Sequence, residues 1–396
     1  MTTDTQPLPR VETRDSWMND PKVRSAIIQI ALIAAIFAFG WWIVSNTARN
    51  LQASNIASGF GFIDARAGFD ISQLPIEYSS NSTYGRALIV GTLNTLIIAG
   101  AGIVLATLLG FAIGIGRLSQ NVLVRSVCTV YVETFRNIPP LLVILFWYFG
   151  VLSVLPSPRD AIELPFSSFL SNRGFQMPRA VFEPGAGIAG IAILVGIVAT
   201  IILSRIYKKR QMETGERRGI LLPAIGLIVG VPLIVFLVMG APATIEFPVL
   251  GTFNVNGGFQ VSPQFLALFL ALSVYTAAFI AEIVRAGILA VSHGQTEAAS
   301  ALGLRRGLIL RLVVVPQAFR VIIPPLTSQY LNLTKNSSLG LAVGYPELVA
   351  IGSTVLNQSG QSIEIVVVWM TVYLGLSLTV SFLMNWFNRS MKLVER

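Results

Sequence analysis

The fold of this chain is decided by residues 88–116, which read LIVGTLNTLIIAGAGIVLATLLGFAIGIG. This run carries no charged side chain, and it exceeds the roughly 20 apolar residues that cross a hydrocarbon core about 30 Å thick. Comparable runs recur, and they give further candidate spans at roughly 25–46, 126–155, 187–205, 219–240, 264–290, 308–345 and 363–387. The pattern predicts an all-α polytopic membrane protein with about eight transmembrane helices.

The composition excludes several classes of function. The 396 residues are 54% hydrophobic and 12% charged, whereas soluble domains carry about 25% charged residues. The net charge of +9 does not indicate a nucleic-acid partner, because the basic residues lie between the apolar runs, where they set membrane orientation. The single Cys128 and single His293 form neither a disulfide nor a metal cluster, and no nucleophile motif accompanies them. We therefore expect no enzyme activity and no metal site.

Charge placement predicts the orientation of the spans. With the amino terminus inside, the inner segments hold 19 basic residues and the outer segments hold 6. Basic residues accumulate on the cytoplasmic side of membrane proteins, so both termini are predicted to be cytoplasmic. No small-residue cleavage motif follows the first apolar run, so residues 25–46 are read as an uncleaved first helix after a cytoplasmic tail at 1–24.

Prolines and glycines predict departures from straight helices. The third and seventh spans are too long for straight crossings, and each contains prolines that bend or break helices. We expect bent or broken helices at Pro139 and Pro140 and at Pro316, Pro324 and Pro325. In the second span, Gly110 and Gly114 lie four residues apart, a spacing that permits close helix packing.

A loop of small residues lies between the sixth and seventh spans, on the predicted inner side. Small residues at 298, 299, 301 and 303 allow another surface to approach closely. Thr296 is a candidate helix cap, Glu297 suits the positive end of the helix dipole, and Arg305 and Arg306 suit the negative end. The segment is therefore predicted to be a short helix suited to docking in a groove. An ordinary amphipathic turn between two helices is the alternative.

The spacing in this loop resembles the EAA motif of type I ABC importer permeases. That motif is Glu-Ala-Ala, three residues, Gly, nine residues, an aliphatic residue, one residue, an aliphatic residue and Pro. The matching positions are Glu297, Ala298, Ala299, Gly303, Val313, Val315 and Pro316. Two valines replace the usual Ile and Leu. The resemblance implies that the loop at about 292–310 contains a coupling helix that an ATPase subunit binds.

Further segments are similar to the polar amino-acid branch of that family, which serves histidine, glutamine and general L-amino-acid uptake. Residues 131–142, YVETFRNIPPLL, resemble its Glu-x-x-Arg-Gly-x-Pro-Leu-Leu segment, with Asn137 in place of Gly. Residues 91–95 and 278–287 resemble the first core helix and the helix before the coupling loop. Residues 335–339, KNSSL, resemble Lys-Asp-Thr-Ser-Leu with both middle polar residues altered.

The resemblance divides the chain into a core and additions. It covers 88–155, read as core helices 1–2, and 263–390, read as core helices 3–5 with the coupling loop. The additions are the helix at 25–46, a periplasmic loop at 47–87, and residues 156–262, which hold a periplasmic loop, an inserted hairpin and a second periplasmic loop. This long form is most like the Q-type permease subunit of a general L-amino-acid transporter.

The resemblance implies a function and partners. The chain is expected to be the permease of an ATP-driven importer in the bacterial inner membrane, carrying L-amino acids. The implied partners are two ATPase subunits, a second homologous permease in a heterodimer, a periplasmic amino-acid-binding protein and the lipid membrane. No Gly-x-x-x-x-Gly-Lys-Ser/Thr loop is present, so no cofactor is expected in this chain, with ATP and Mg²⁺ on the ATPase subunit.

Polar residues within the spans are candidates for the translocation path. Charged groups are costly in hydrocarbon and usually face a protein interior or a polar path. Groups of both signs suit a substrate with an ammonium and a carboxylate. The candidates are Asn94, Thr95, Glu133, Arg136, Glu282, Arg285, Lys335, Asn336, Ser337 and Ser338. The alternative for the two Glu/Arg pairs, each three residues apart, is structural pairing along one helix face.

A second class of transporter fits part of the same pattern. Broken spans with polar residues at mid-depth are also found in secondary transporters driven by an ion gradient. The same permease fold serving another small molecule, such as an opine, is a further alternative. Dependence of uptake on an ATPase subunit separates the importer from the secondary transporter.

Overall fold

The computed structural model describes residues 21–53, 59–183, 185–216, 219–252 and 254–390. Residues 1–20 of the cytoplasmic tail predicted at 1–24 lie outside the described residues. The α-helices in the described part are α1 (Pro21–Ala53), α2 (Tyr84–Gly116), α3 (Val122–Arg136), α4 (Pro140–Leu145), α5 (Ala186–Thr214), α6 (Leu221–Ile225), α7 (Val231–Val238), α8 (Pro263–Leu289), α9 (His293–Ala301), α10 (Arg306–Ile309), α11 (Val315–Asn336), α12 (Leu348–Ser359) and α13 (Ser362–Ser390). The strands are β1 (Ile162–Leu164), β2 (Ser168–Ser171), β3 (Gly174–Met177), β4 (Arg179–Phe182), β5 (Ala243–Glu246), β6 (Val249–Leu250), β7 (Val255–Asn256) and β8 (Phe259–Val261).

The helices confirm the prediction of about eight spans. Among the described residues, seven helical stretches are long and apolar enough to cross a membrane. An eighth is a broken pair, α3 followed by Pro140–Leu152, bent by 109°. The break lies where Pro139 and Pro140 predicted it. The ring of Pro139 fixes its φ at −58°, and Pro140 drives the preceding residue to extended backbone, here ψ 137°.

The seventh span is not broken at two of its three prolines. α11 runs through Pro324 and Pro325 without an interruption. Transmembrane helices tolerate internal prolines where neighbouring groups satisfy the freed backbone. The irregular segments lie elsewhere in this span: a π-helical turn at Leu310–Val314, just before Pro316, and a 3₁₀ turn at Ser337–Val343.

The core is built on the packing of α2 along α8. A methyl group added at Gly114 would lie 2.6 Å from the Ala281 carbonyl oxygen, and one at Gly110 would lie 2.5 Å from Ile280 Cγ2. Only glycine therefore permits this separation of the two helices, as the spacing predicted. α11 packs against both α8 and α2, and α12 packs against α2.

The short helix α12 was not foreseen from the sequence. Glu347 precedes it, is fully buried, and accepts hydrogen bonds from the backbone N–H groups of Val349 and Ala350 at 2.8 and 2.7 Å. These bonds satisfy N–H groups that a helix start leaves unpaired. Gly91 allows α2 to approach α12 closely, because a methyl group there would meet Leu348 Cα at 3.0 Å.

The loops on either side of the inserted hairpin contain β-strands that the sequence did not reveal. β1, β2, β3 and β8 form an antiparallel sheet in that order, with Phe175 opposite Val261. β4 pairs with β5, and β6 with β7. The strands hold only two to four residues each, too few to show a clear alternation of polar and apolar residues. The two loops are therefore joined by strand pairing, β3 with β8 and β4 with β5, and β3 contacts α8.

The added helices lie at the periphery of the core. α5 packs against α7 and the π-helical turn Gly226–Gly230 within the inserted hairpin. A methyl group at Gly196 would overlap the Leu227 carbonyl oxygen, so the hairpin closes on a glycine contact. The most apolar window of α1 contains no buried residue. These helices therefore present apolar side chains outward, as lipid-facing helices do.

Candidate functional site

The loop between α8 and α11 contains the helix predicted from the EAA-like spacing. α9 follows α8 after a short turn, and its residues are exposed except for Thr296, which is half-buried, and Ala299, which is buried with Ile309 and Val314. The chain leaves α9 through Leu302 and Gly303. Gly303 has φ +73°, a left-handed conformation that favours glycine, and no atom lies within 4 Å of the position of a Cβ there.

The start of α9 differs from the prediction. The helix begins at His293 instead of near Thr296, and the Thr296 hydroxyl donates to the His293 carbonyl oxygen at 2.6 Å. Thr296 is therefore not the cap. Glu297 lies in the second turn and forms an exposed pair with His293, whose Nδ1 lies 2.9 Å from its Oε1. Ser292 precedes the helix, and its side chain forms no capping hydrogen bond.

The two arginines also lie elsewhere than predicted. Arg305 precedes α10 and Arg306 is its first residue, so neither lies at the carboxyl end of α9. The turn at Gly303 separates them from that end. Both are exposed, and so is Ala298, while Pro316 lies in the first turn of α11. The exposed part of the loop therefore consists of a small-residue helix followed by two basic residues.

A network of charged side chains joins α2, α3 and α8. Arg117, just after α2, forms an ion pair with Glu282 of α8, and Arg285 Nη2 lies 2.6 Å from Glu282 Oε1. Arg117 also reaches Glu133 of α3, with 3.4 Å between Nη2 and Oε1. The pairing of Glu282 with Arg285 follows the structural alternative. The network ties three helices together.

Glu133 and Arg136, the other pair three residues apart, do not bind each other in the described structure. Arg136 stacks over the Phe279 ring, with its Cζ 5.7 Å from the ring centre, while Glu133 faces Arg117. Residues three apart on a helix are neighbours, but a partner on another helix competes for the same carboxylate. The Arg136 guanidinium gains a cation–π contact instead.

A polar cavity lies between the middle of α8 and the last two turns of α11, with Pro140 at the start of α4 also in its wall. Its volume is about 290 Å³, and its lining residues are Pro140, Tyr275, Thr276, Phe279, Gln329, Asn332 and Asn336. Gln329, Asn332 and Asn336 come from one face of α11, since residues three and four apart share a face. Asn336 is the one predicted path residue among these lining side chains. The cavity therefore offers amide and hydroxyl groups beside aromatic rings.

The remaining polar candidates make contacts within the fold. Thr95 accepts the Leu348 N–H at 3.1 Å, and Asn94 donates to the Pro346 carbonyl oxygen at 2.9 Å, so both hold α12 against α2. Ser337 is buried and donates to Thr334, whereas Ser338 donates to the carbonyl oxygen of Lys335, which is itself exposed. None of these five residues lines the cavity between α8 and α11.

Comparison with known proteins identifies the family. The family described as "Binding-protein-dependent transport system inner membrane component" matches residues 213–393. The general L-amino acid transport system permease protein AapQ of Rhizobium johnstonii is 60% identical over 96% of this chain and 95% of its own length. The chain belongs to the amino-acid ABC transporter permeases.

Two other full-length permeases are similar to this chain. The putative amino-acid ABC transporter permease protein YhdX of Escherichia coli is 50% identical, covering 95% of this chain and 96% of its own. The glutamate/glutamine/aspartate/asparagine transport system permease protein BztB of Rhodobacter capsulatus is 44% identical over 95% and 96%. These matches confirm the predicted family and permease fold. As a member, the chain is a multi-pass transport component of the inner membrane.

Three residues of the charged network and the cavity in this permease were not predicted as site residues from the sequence. Arg117 was counted only as an inner basic residue, although it directly follows the glycine that ends a span. Gln329 and Asn332 were also missed. Their spacing with Asn336, three and then four residues, was the available signal, because it places three amides on one helix face.

Proposed function

We propose that this permease moves L-amino acids of broad specificity into the bacterial cytoplasm, driven by ATP that separate subunits hydrolyse. The full-length similarity to a permease named for general L-amino acid transport carries this proposal. The partners are two ATPase subunits, a second homologous permease that completes a heterodimer, and a periplasmic amino-acid-binding protein. ATP and Mg²⁺ bind to the ATPase subunits.

The orientation follows from charge. Both termini and α9 lie on the cytoplasmic side, where basic residues outnumber those on the other side by 19 to 6. The strands and the start of α8 then lie on the periplasmic side, because α8 runs from β8 to α9. In this orientation an ATPase reaches α9, and a binding protein reaches the strands.

α9 is connected to two membrane-spanning helices, which gives a route for coupling. It follows α8 after a short turn, and Ala299 packs on Ile309 and Val314, which lie at the start of the span that contains α11. A displacement of α9 by the ATPase therefore acts on α8 and α11 together. These are the two helices that line the cavity of about 290 Å³. The motion changes access to that cavity and opens it to alternate sides.

The cavity is proposed as the translocation path. Its neutral amide and hydroxyl groups can each donate or accept hydrogen bonds, so they can bind amino-acid substrates with different polar side chains. This property suits broad specificity. Glu282 binds Arg285 on its own helix and Arg117 at the end of α2, so we assign this pair to the charged network that holds α8 against α2. Asn336 is then the predicted residue that contacts substrate. The cavity volume of about 290 Å³ lies just below the range of about 300–1,000 Å³ for small-molecule sites.

The docking of α9 is tested at Gly303. Gly303→Asp and Gly303→Asn place similar side chains in the same left-handed conformation, which Asn tolerates, but only Asp adds a negative charge to the proposed interface. We expect Gly303→Asp to abolish uptake in proteoliposomes with ATPase and binding protein while ATP hydrolysis continues. Gly303→Asn should keep at least half of wild-type uptake.

Two outcomes contradict the proposal. Wild-type uptake by Gly303→Asp, at normal levels of inserted protein, rules out a tight interface at α9. Amino-acid uptake by the wild-type permease without ATPase or ATP rules out ATP-driven import and favours an ion-gradient mechanism.

A further inference from the structure

An apolar groove lies between the two arms of the inserted hairpin. Its volume is about 710 Å³, and its walls come from Phe182 of β4, from five residues of α5 between Ala186 and Ile193, and from five residues between Ile228 and Phe236. The lining side chains are all aliphatic or aromatic, and the glycines among them add none. The groove shares no lining residue with the polar cavity between α8 and α11. It therefore offers no hydrogen-bonding side chain to a polar ligand.

Contacts between the arms limit the length of the groove. At one end Gly196 faces Leu227, and a methyl group at Gly196 would overlap the Leu227 carbonyl oxygen. At the other end a methyl group at Gly185 would lie 3.3 Å from Met239 Cε. Over its lining residues α5 rises about 10 Å, at about 1.5 Å per residue. The groove is therefore about a third as long as the hydrocarbon core, which is about 30 Å thick.

The described part of the chain leaves this groove open. Ala189 and Pro232 are buried and form its floor. A methyl group at Gly187 or at Gly190 would meet no atom within 4 Å, so nothing lies above the floor at these positions. α1 does not fill the space, because its most apolar window contains no buried residue. The occupant of the groove therefore comes from outside the described residues.

The surface around the groove faces hydrocarbon. Both arms of the hairpin are long and apolar enough to cross a membrane, and their most apolar windows are only 11% and 6% buried. The groove is continuous with this lipid-facing surface, because the same two arms form its walls. Water does not occupy a site whose walls offer it no hydrogen bond. The groove is therefore filled by hydrocarbon or by another helix.

The length of the groove favours hydrocarbon. A transmembrane helix that docks along the hairpin needs a contact surface along most of the core of about 30 Å, and the groove supplies about 10 Å. A single acyl chain is narrow enough to enter between the arms and needs no longer surface. It also meets only aliphatic and aromatic groups there.

We propose that this groove is a binding site for one acyl chain of a phospholipid in the outer leaflet. A chain in the groove is contacted by the floor and by both walls, whereas a lipid beside a single helix is contacted on one side. The additional dispersion contacts keep the bound chain in place longer than the surrounding lipid. The choice of leaflet rests on the proposed orientation, while the site itself is independent of the transported substrate.

Photolabelling of the complete transporter in liposomes tests the site. The probe is a phosphatidylethanolamine with a diazirine near the methyl end of one acyl chain, and mass spectrometry identifies the labelled peptides. We expect residues 228–236 to be labelled more strongly than the outward faces of α1 and α13. Gly190→Leu fills the groove, so labelling of 228–236 should fall to the level of those two helices. The matched control is Gly100→Leu on α2, which also meets no atom within 4 Å and lies outside the groove, and it should label as the wild type does.

Three results would overturn parts of this proposal. Equal labelling of 228–236 and α1, or unchanged labelling in Gly190→Leu, shows that no acyl chain is held in the groove. Labelling in the isolated permease but not in the complete transporter shows that a helix of another subunit covers the groove. Moving the diazirine to the carboxyl end of the acyl chain should shift the label towards Phe182. A shift towards Ile193 instead places the lipid in the inner leaflet, which contradicts the proposed orientation and leaves the groove as a lipid site.

Discussion

At the scale of residues, Arg117 is the side chain of the charged network that links the most helices. Its side chain is 11% exposed, and it contacts carboxylates from two other helices. Glu282 keeps Arg285 when Arg117 is removed, but it loses the partner that links α8 to α2. The network therefore acts as a brace between helices more than as a pair along one of them.

Arg117→Met tests the brace. We expect it to lower the free energy of unfolding by about 1–3 kcal/mol, because a half-buried carboxylate loses a charged hydrogen-bond partner. The measurement is the Tm of the purified protein in detergent. Arg125→Met, an exposed residue near the start of α3 outside the network, is the control and should leave Tm unchanged. Equal Tm values for both variants contradict the brace.

Asn336 and Lys335 are neighbours with different surroundings, so they form a second test at this scale. Asn336 lines the cavity between α8 and α11, whereas Lys335 is exposed outside it. We expect Asn336→Leu to reduce L-glutamine uptake about tenfold, since a hydrogen bond to the substrate is lost. Lys335→Met should stay within twofold of wild type. A larger loss in Lys335→Met than in Asn336→Leu contradicts the assigned path.

At the scale of elements, the contact of α2 with α8 fixes the geometry of the core. Both glycines of this contact lie where a methyl group would overlap α8. The contact brings the end of α2 close enough for Arg117 to reach Glu282. α8 also contributes lining residues to the cavity between α8 and α11. The contact of α2 with α8 therefore helps to position the wall of the proposed translocation path.

Gly114→Val should destabilise this contact by about 1–3 kcal/mol, the range for overpacking a close-packed interface. Gly100→Val, on the same helix, is the matched control, because no atom lies within 4 Å of a Cβ at that position. Its expected change in Tm is small. Thermal unfolding in detergent compares the two variants, and equal loss of stability would show that helix propensity, and not packing, sets the effect.

At the scale of the whole molecule, the inserted hairpin closes largely on itself. α5 and α7 pack together, and β4 pairs with β5 beyond their ends, with Phe182 opposite Ala243. The chain therefore enters and exits the hairpin at neighbouring positions, where β4 pairs with β5. Two spans added together preserve the orientation of every later span, so the charge pattern and the five-span core agree.

Replacing residues 185–240 with a short Gly-Ser linker tests this independence. We expect the variant to insert with α9 still on the cytoplasmic side and to keep a Tm within a few degrees of wild type. Protease access to the α9 loop in inverted vesicles reports the orientation. Loss of insertion, or a large fall in Tm, would show that the core depends on the hairpin.

Sequence alone determined the number of spans, the break at Pro139 and Pro140, the helix after α8 and the family. These follow from local properties: the length of an apolar run, the backbone restriction before proline, and residue spacing within one segment. Tertiary structure decided the partners of the charged and polar groups. Whether Glu133 meets Arg136 or Arg117, and whether Asn94 or Asn332 faces a cavity, depends on how α2, α3, α8 and α11 align. That alignment is set by packing between residues far apart in sequence, and no single segment encodes it.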